Sequence, residues 1–156
     1  MAIKPLCCVP HVGLRAPASP ITRFDHGLRD LVQDLIDTMC ANHGVGLAAP
    51  QIGARVRVFV ASPTGTRDDV VAMVNPVLEQ GRGKDGIVEG CLSVPDVWGE
   101  VRRWASVSVR GQDVSGRPLR IKAKGLHAII LQHELDHLDG RLFIDRLPAQ
   151  TAKTPQ

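Results

Sequence analysis

The sequence predicts an α+β fold in which antiparallel β-sheets pack around a central C-terminal helix, with a second helix near the N-terminus. Two segments with apolar residues three and four positions apart predict the helices, and stretches rich in β-branched residues between them predict the strands. The chain has 156 residues, of which 44% are hydrophobic and 22% charged. This size and composition indicate a single domain over residues 1–156, with residues 148–156 as a frayed tail.

Local patterns predict each element in turn. An apolar stripe predicts a helix over residues 24–42, and the Gly- and Pro-rich "HGVGLAAPQIG" that follows predicts a loop. Residues 56–61 and 70–78 are predicted strands, and "GRGKDG" at residues 81–86 is a predicted loop. Alternating stretches on either side of Ser115 and Gly116 predict a hairpin. The last helix is predicted over residues 125–138, ending at Gly140.

Composition excludes several classes of protein. No apolar run approaches the roughly 20 residues of a membrane span, and Pro5 and Pro10 interrupt the N-terminal segment where a secretory signal would lie. We therefore expect a cytoplasmic, reduced protein whose four cysteines are free. The 19 Lys and Arg residues are scattered and the net charge is +3, so charge alone does not argue for nucleic-acid binding.

The stretch "LQHELDHLDG" predicts a metal site on the last helix. His133 and His137 are four residues apart, on the same inward face as the apolar residues Leu126, Ile129 and Ile130. Two imidazoles one turn apart converge on one divalent ion, and Glu134 lies beside that point as a base for activating water. Such a site needs a third ligand.

Cys91 is the leading candidate for that ligand. It lies in "VEGCLSVP" between two predicted sheet segments, where a tight Gly-Cys turn would direct the thiolate at the helix. The alternative for Cys91 is a buried small hydrophobic residue. In "GVGLAAPQIG" the glycines allow close backbone approach and Gln51 offers an amide, but the stretch lacks the Lys-Ser/Thr ending of a phosphate loop.

Together these stretches resemble the peptide deformylases. The motifs are "GVGLAAPQ" at residues 44–51, "EGCLS" at 89–93 and "QHELDH" at 132–137, and the likeness extends over nearly the whole chain. The resemblance implies hydrolytic removal of the formyl group from the N-terminal methionine of newly made polypeptides. It implies Cys91, His133 and His137 as metal ligands, with water in the fourth position.

The resemblance also implies roles for other residues. Glu134 would take a proton from the attacking water, and the Gln51 amide and the Leu92 N–H would stabilise the charged carbonyl oxygen. The metal expected from the family is Fe2+, which Zn2+, Ni2+ or Co2+ may replace. The implied substrate-binding set is Gly44, Val45, Gly46, Glu89, Gly90, Trp98, Leu126, Ile129 and Ile130. The implied partners are the N-formylmethionyl nascent polypeptide and, transiently, the ribosome, with neither membrane nor direct nucleic-acid binding argued.

Three further expectations concern neighbouring residues. Asp136, placed on the solvent side of the helix, is expected to pair with Arg103, and Glu89 is expected to orient the loop beside Cys91. Trp98 stands where many relatives carry an arginine, so it would stack on the bound peptide and not form charged hydrogen bonds.

Two alternative functions remain open. A metallopeptidase would need a third His or Glu ligand downstream of His137, and no such residue follows it. A non-catalytic or altered-specificity metal- or peptide-binding relative would be expected to lack Glu134 or Gln51, and both are present.

Overall fold

A computed structural model describes residues 2–147, so the predicted tail at residues 148–156 lies outside the described residues. Within residues 2–147, the fold contains two α-helices and one antiparallel sheet of five strands in the order β1-β2-β3-β4-β5. The helices are α1 (His26–Ala41) and α2 (Gly125–Leu138). The strands are β1 (Gly46–Ala48), β2 (Val58–Ala61), β3 (Val71–Cys91), β4 (Val94–Gln112) and β5 (Pro118–Lys124). Short 3-10 helices span Val12–Leu14, Ala49–Ile52, Arg67–Asp69 and Phe143–Arg146.

The two helices lie on opposite faces of the short strands β1 and β2. On one face, Val58 and Val60 pack with Leu35 and Met39 of α1. On the other face, Phe59 and Ala61 pack with α2 residues such as Leu131. Because side chains alternate along a strand, one strand serves two apolar layers, and α2 lies at the centre of the fold. This arrangement confirms the predicted fold class.

Local features of the sequence set the start of α1 and the end of α2. The Asp25 carboxylate accepts a hydrogen bond from the Leu28 N–H at 3.1 Å and caps the start of α1. After α2, Gly140 adopts a φ of 76°, a left-handed conformation that suits glycine and ends the helix. The predicted bounds of the last helix, residues 125–138, are confirmed, as is the β4–β5 hairpin.

The predicted loop at residues 81–86 is wrong. These residues belong to β3, which pairs with β4 in the register Gly81↔Val107 to Glu89↔Gly99. Gly81 and Gly86 are required by close approach, whereas Gly83 adopts a φ of 67°, a left-handed conformation that suits glycine. A Cβ added to Gly86 would lie 2.5 Å from the Val101 carbonyl oxygen, and one added to Gly81 would overlap the Trp104 ring.

The loop predicted over residues 43–53 is also wrong in part. It contains β1, which pairs with β2 in the register Gly46↔Ala61 to Ala48↔Phe59, and the 3-10 helix Ala49–Ile52. The strand forms because β2 supplies a pairing edge, which the local sequence cannot reveal. Gly46 and its neighbours thus lie on the open edge of the sheet.

No helix within residues 2–147 is long and apolar enough to cross a membrane.

Candidate active site

The three predicted metal ligands converge on one point between β3 and α2. The Cys91 Sγ lies 3.3 Å from the His137 Nε2, which in turn lies 3.3 Å from the His133 Nε2. All three donor atoms lie within 4.8 Å of one another. A tetrahedral site with metal–nitrogen bonds of about 2.1 Å has edges of about 3.4 Å, so the spacing fits one ion.

The backbone around Cys91 differs from the prediction. Cys91 is the last residue of β3, and the tight turn consists of Leu92 and Ser93 after it, not of Gly90 and Cys91. The register Cys91↔Val94 closes this turn and directs the thiol towards α2. The third donor therefore comes from upstream in the sequence, not from the downstream His or Glu that a metallopeptidase would need.

A chain of alternating charges, formed by Glu89, Arg103, Asp136 and Arg146, lies behind the donors. Glu89 contacts the His133 Nδ1 at 2.9 Å and accepts two hydrogen bonds from Arg103 at 2.6 and 2.9 Å. Arg103 also donates to Asp136 at 3.0 Å, and Arg146 donates to the same carboxylate at 2.6 and 2.7 Å. This charge chain fixes the His133 ring with its Nε2 facing the other donors.

The charge chain tests the expectations for Asp136 and Glu89. The pairing of Asp136 with Arg103 is confirmed, but the solvent-side placement of Asp136 is wrong, since the residue is only 7% exposed. Glu89 is buried and holds the His133 imidazole, in addition to bordering the cavity described below. Burial disfavours both carboxylates, but His133 and Arg103 outweigh it and lower the pKa of Glu89, while Arg146 and Arg103 do so for Asp136.

The two histidines have opposite electrostatic environments. Burial opposes charge on His133, but its hydrogen bonds with Cys91 and Glu89 outweigh burial and raise its pKa to about 10. Burial, together with the neighbouring His133, lowers the pKa of His137 well below its usual value. Without a metal, the donor cluster thus favours one positive charge at His133 and a neutral His137, and a bound ion would take the place of the His133 proton.

Glu134 is buried beside this cluster with an oxygen that has no partner in the described residues. It is 4% exposed, and its Oε1 makes no hydrogen bond there. Burial raises its pKa to about 7, so the group can both take and release a proton near neutrality. Gly46 of β1 lies against it, because a Cβ at that position would be 2.5 Å from the Glu134 Oε2.

Gln51 lies on the other side of Cys91. Its Oε1 accepts a hydrogen bond from the Ala48 N–H at 3.0 Å. Its Nε2 donates to the Ser93 Oγ at 3.0 Å and lies 3.6 Å from the Cys91 Sγ. Ser93, which the sequence analysis placed in the motif "EGCLS" without giving it a role, therefore orients this amide.

A cavity of about 500 Å³ opens next to Glu134 and the thiol. All nine predicted substrate-binding residues border it, as do Gln51, Leu92, Cys91, His133 and Glu134. Ile87 and Val88 of β3 also line it and were missed, because the strand that presents them was predicted only as far as residue 78. Trp98 lies at the rim, 54% exposed, where a Cβ on Gly90 would come within 2.8 Å of its Nε1.

The fold and the site together define a metal-dependent hydrolase. Two imidazoles and a thiol surround one position, a carboxyl group with a near-neutral pKa lies beside it, and an apolar cavity adjoins both.

Comparison with known proteins identifies the family. The family model described as "Polypeptide deformylase" matches residues 3–153, and the chain belongs to that family, whose members are metal-dependent hydrolases. The chain is 43% identical over 140 residues to a peptide deformylase of Rhodopirellula baltica, covering 88% of this chain and 70% of that one. It is 46% identical over 134 residues to a peptide deformylase of Heliobacterium modesticaldum, covering 86% and 87% of the two chains.

Solved structures agree with this assignment. A peptide deformylase from Legionella pneumophila superposes with a TM-score of 0.93 at 41% identity, covering 96% of this chain and 88% of that one. The peptide deformylase from Thermotoga maritima gives a TM-score of 0.90 at 34% identity, covering 95% and 99%. The expected fold class and enzyme class are confirmed.

Proposed function

We propose that this chain hydrolyses the N-formyl group from the N-terminal methionine of newly made polypeptides, at a divalent metal held by Cys91, His133 and His137. The observation that carries the proposal is the convergence of these three donors beside the buried Glu134 carboxyl and an apolar cavity. Membership of the polypeptide deformylase family supports the same reaction.

The donor set suits a divalent transition metal. When bound, such an ion would acidify a water molecule and polarise the formyl carbonyl. One thiolate and two neutral imidazoles would leave it a net single positive charge. Fe2+ is the ion expected from the family, and the same donors would accept Zn2+, Ni2+ or Co2+. Elemental analysis identifies the bound ion. It is made on protein purified without added metal and on protein purified anaerobically with iron.

Glu134 is the proton carrier in this proposal. Its unpartnered Oε1 takes a proton from the attacking water, and the same carboxyl later gives that proton to the departing amine. A pKa of about 7 suits both steps, because neither proton transfer is strongly uphill near neutral pH.

Gln51 and the backbone N–H of Leu92 stabilise the negative charge that develops on the formyl oxygen. Ser93 and Ala48 hold the Gln51 amide in place before substrate arrives, so little reorganisation is needed during the reaction. The Gln51 Nε2 already lies 3.6 Å from the Cys91 Sγ, next to the position where the formyl carbonyl would bind.

The cavity accounts for recognition of a methionine at the chain terminus. Its apolar walls, which include Val45, Leu126, Ile129 and Ile130, accept the thioether side chain. Gly46 lies on the edge strand β1, where the substrate backbone adds as a further strand, with Gly44 and Gly90 leaving room for it. Glu89 supports this wall through its bonds to His133 and Arg103, and Trp98 stacks on the peptide beyond the methionine.

The decisive experiment measures formate release from a formyl-methionyl peptide under anaerobic conditions with iron. Wild type should exceed a Glu134→Ala variant by at least the roughly hundredfold typical of a general base. Equal rates in the two proteins, with equal metal content, would exclude the proposal. We place the reaction in the cytoplasm. We also propose transient contact with the ribosome, and cosedimentation with translating ribosomes tests this contact.

A further inference from the structure

The outward face of β3, β4 and β5 gathers basic side chains that are scattered along the sequence. The strand register aligns Arg82 with Ser106 and Lys124 in one row, and Gln80 with Ser108 and Lys122 in the next. The three cations are exposed, whereas Val107 and Val109 of β4, on the other face, are buried in the core with α2. We call this set of two rows the basic face.

A shallow groove of about 480 Å³ runs over the basic face. Its lining consists of Gln80, Arg82, Ser106, Val107, Ser108, Lys122, Ala123 and Lys124, with no carboxylate among them. The nearby Glu79 reaches the Ser108 hydroxyl, but Arg120 binds both of its oxygens at 2.7 and 3.0 Å. Arg110 approaches the same carboxylate at 3.6 Å. The groove's positive charge is therefore not neutralised by Glu79.

Lys84 and Arg102 lie outside the basic face. They border a separate cavity together with Trp104 and the α2 residues Gln132, Leu135 and Asp136, and the Lys84 Nζ lies 3.8 Å from the centroid of the Trp104 ring. The basic face thus consists of two rows of side chains across three strands, with its cations on β3 and β5.

This geometry fits a polymer of regularly spaced anions. Alternate side chains on a strand are about 6.8 Å apart and neighbouring strands about 4.8 Å apart, so cations and hydroxyls repeat in both directions. Lys, Arg and Ser are side chains that contact phosphate oxygens without reading bases. The basic face also lies away from α2, so a bound polymer would leave the metal donors and substrate cavity open.

We propose that the basic face docks on the phosphate backbone of RNA, independently of base sequence. The choice of RNA over other polyanions rests on the proposed function, since newly made polypeptides emerge from an RNA-rich particle. Docking there would hold the enzyme close to its substrate, raising the local concentration of formylated chain ends.

The test compares two double variants of equal charge. Lys122→Glu/Lys124→Glu removes two cations from the groove, and Arg29→Glu/Arg55→Glu makes the same charge change at exposed positions outside it. Binding to a fluorescein-labelled RNA duplex is followed by anisotropy over a series of salt concentrations. Circular dichroism verifies folding, and formate release from a short formyl-methionyl peptide is measured in parallel.

We expect the groove variant to bind RNA roughly tenfold more weakly than wild type, with a salt slope reduced by about 0.9 for each lost phosphate contact. The control variant should bind nearly as wild type does, and the short peptide should be processed at the same rate by all three proteins. Equal RNA affinity in the two variants would overturn the proposal. So would charge-dependent binding to phosphatidylglycerol vesicles without binding to RNA. If no protein releases formate but RNA binding changes as expected, the proposed function fails while the docking surface stands.

Discussion

Replacing Gly46 by alanine tests how closely β1 positions Glu134. The added Cβ would lie 2.5 Å from the Glu134 Oε2 and 3.1 Å from its Cγ. To reach the 3.4 Å at which ordinary contact begins, the carboxyl must move by about 0.9 Å. Because Glu134 is buried, that movement displaces its carboxyl oxygens from their position beside Cys91, His133 and His137.

A displacement of this size should lower kcat for formate release by roughly a hundredfold, the cost of misplacing a catalytic group by about 1 Å. Cys91, His133 and His137 do not provide the atoms closest to the new methyl group, so metal content should be unchanged. The assay is anaerobic formate release with iron, alongside metal analysis. Gly27→Ala serves as the control, since its Cβ would meet only Asp25 at 3.3 Å, far from the site in sequence and fold.

A double-mutant cycle separates the displacement of Glu134 from other effects of the methyl group. If Gly46→Ala acts through Glu134, it should have little further effect in a Glu134→Ala background. A Gly46→Ala enzyme with wild-type kcat would refute the reasoning. An equal loss in both backgrounds would instead assign the effect to pairing of the substrate backbone with β1.

Three further predictions concern the charge chain. Glu89→Gln removes the carboxylate that orients His133, so metal affinity measured by chelator competition should fall about 10- to 100-fold; unchanged affinity would remove Glu89 from this role. Arg103→Met removes an ion-pair partner from two buried carboxylates, those of Glu89 and Asp136. The free energy of unfolding measured in urea should therefore fall by about 3–5 kcal/mol. A decrease of only about 1 kcal/mol, typical of a surface ion pair, would contradict this prediction. The pKa of Asp136 lies below its usual 3.8 because Arg146 and Arg103 outweigh burial. The Asp136 carboxylate therefore stabilises the fold at pH values above 3.8, and this stabilisation is lost as the pH falls through the lowered pKa. With chelator present throughout, the difference in unfolding free energy between wild type and Asp136→Asn should therefore shrink in acid, whereas a difference that is constant with pH would refute it.

The sequence predicted the bounds of α2 well, because apolar residues continue through it and Gly140 ends it. Likewise, the β4–β5 hairpin follows from alternation on both sides of Ser115 and Gly116, a purely local signal. The prediction of a single inward face is wrong in part: α2 is buried on nearly every side from Ala128 to Leu138, whereas Leu126, assigned to that face, is 47% exposed beside the cavity.

The wrong predictions share a different cause, because in each case the structure of a segment depends on residues far away in the sequence. Gly81 and Gly86 look like loop residues, but Trp104 and Val101 of β4 need the space that they leave. Asp136 looks like a solvent-facing helix carboxylate, but Arg103 and Arg146 come from other elements and bury it in ion pairs. Ile87 and Val88 became part of the cavity only because β3 continues to Cys91.

The charge chain has a consequence for the order in which the molecule can mature. A chain grows from its N-terminus, so Cys91 and Glu89 emerge well before His133 and His137, and Arg146 follows later still. Until then Asp136 has Arg103 alone, shared with Glu89, and the imidazole cluster lacks its full electrostatic support. The charge chain is therefore complete only after residue 146 has left the ribosome, and His133 has its full set of supporting ion pairs from that point on.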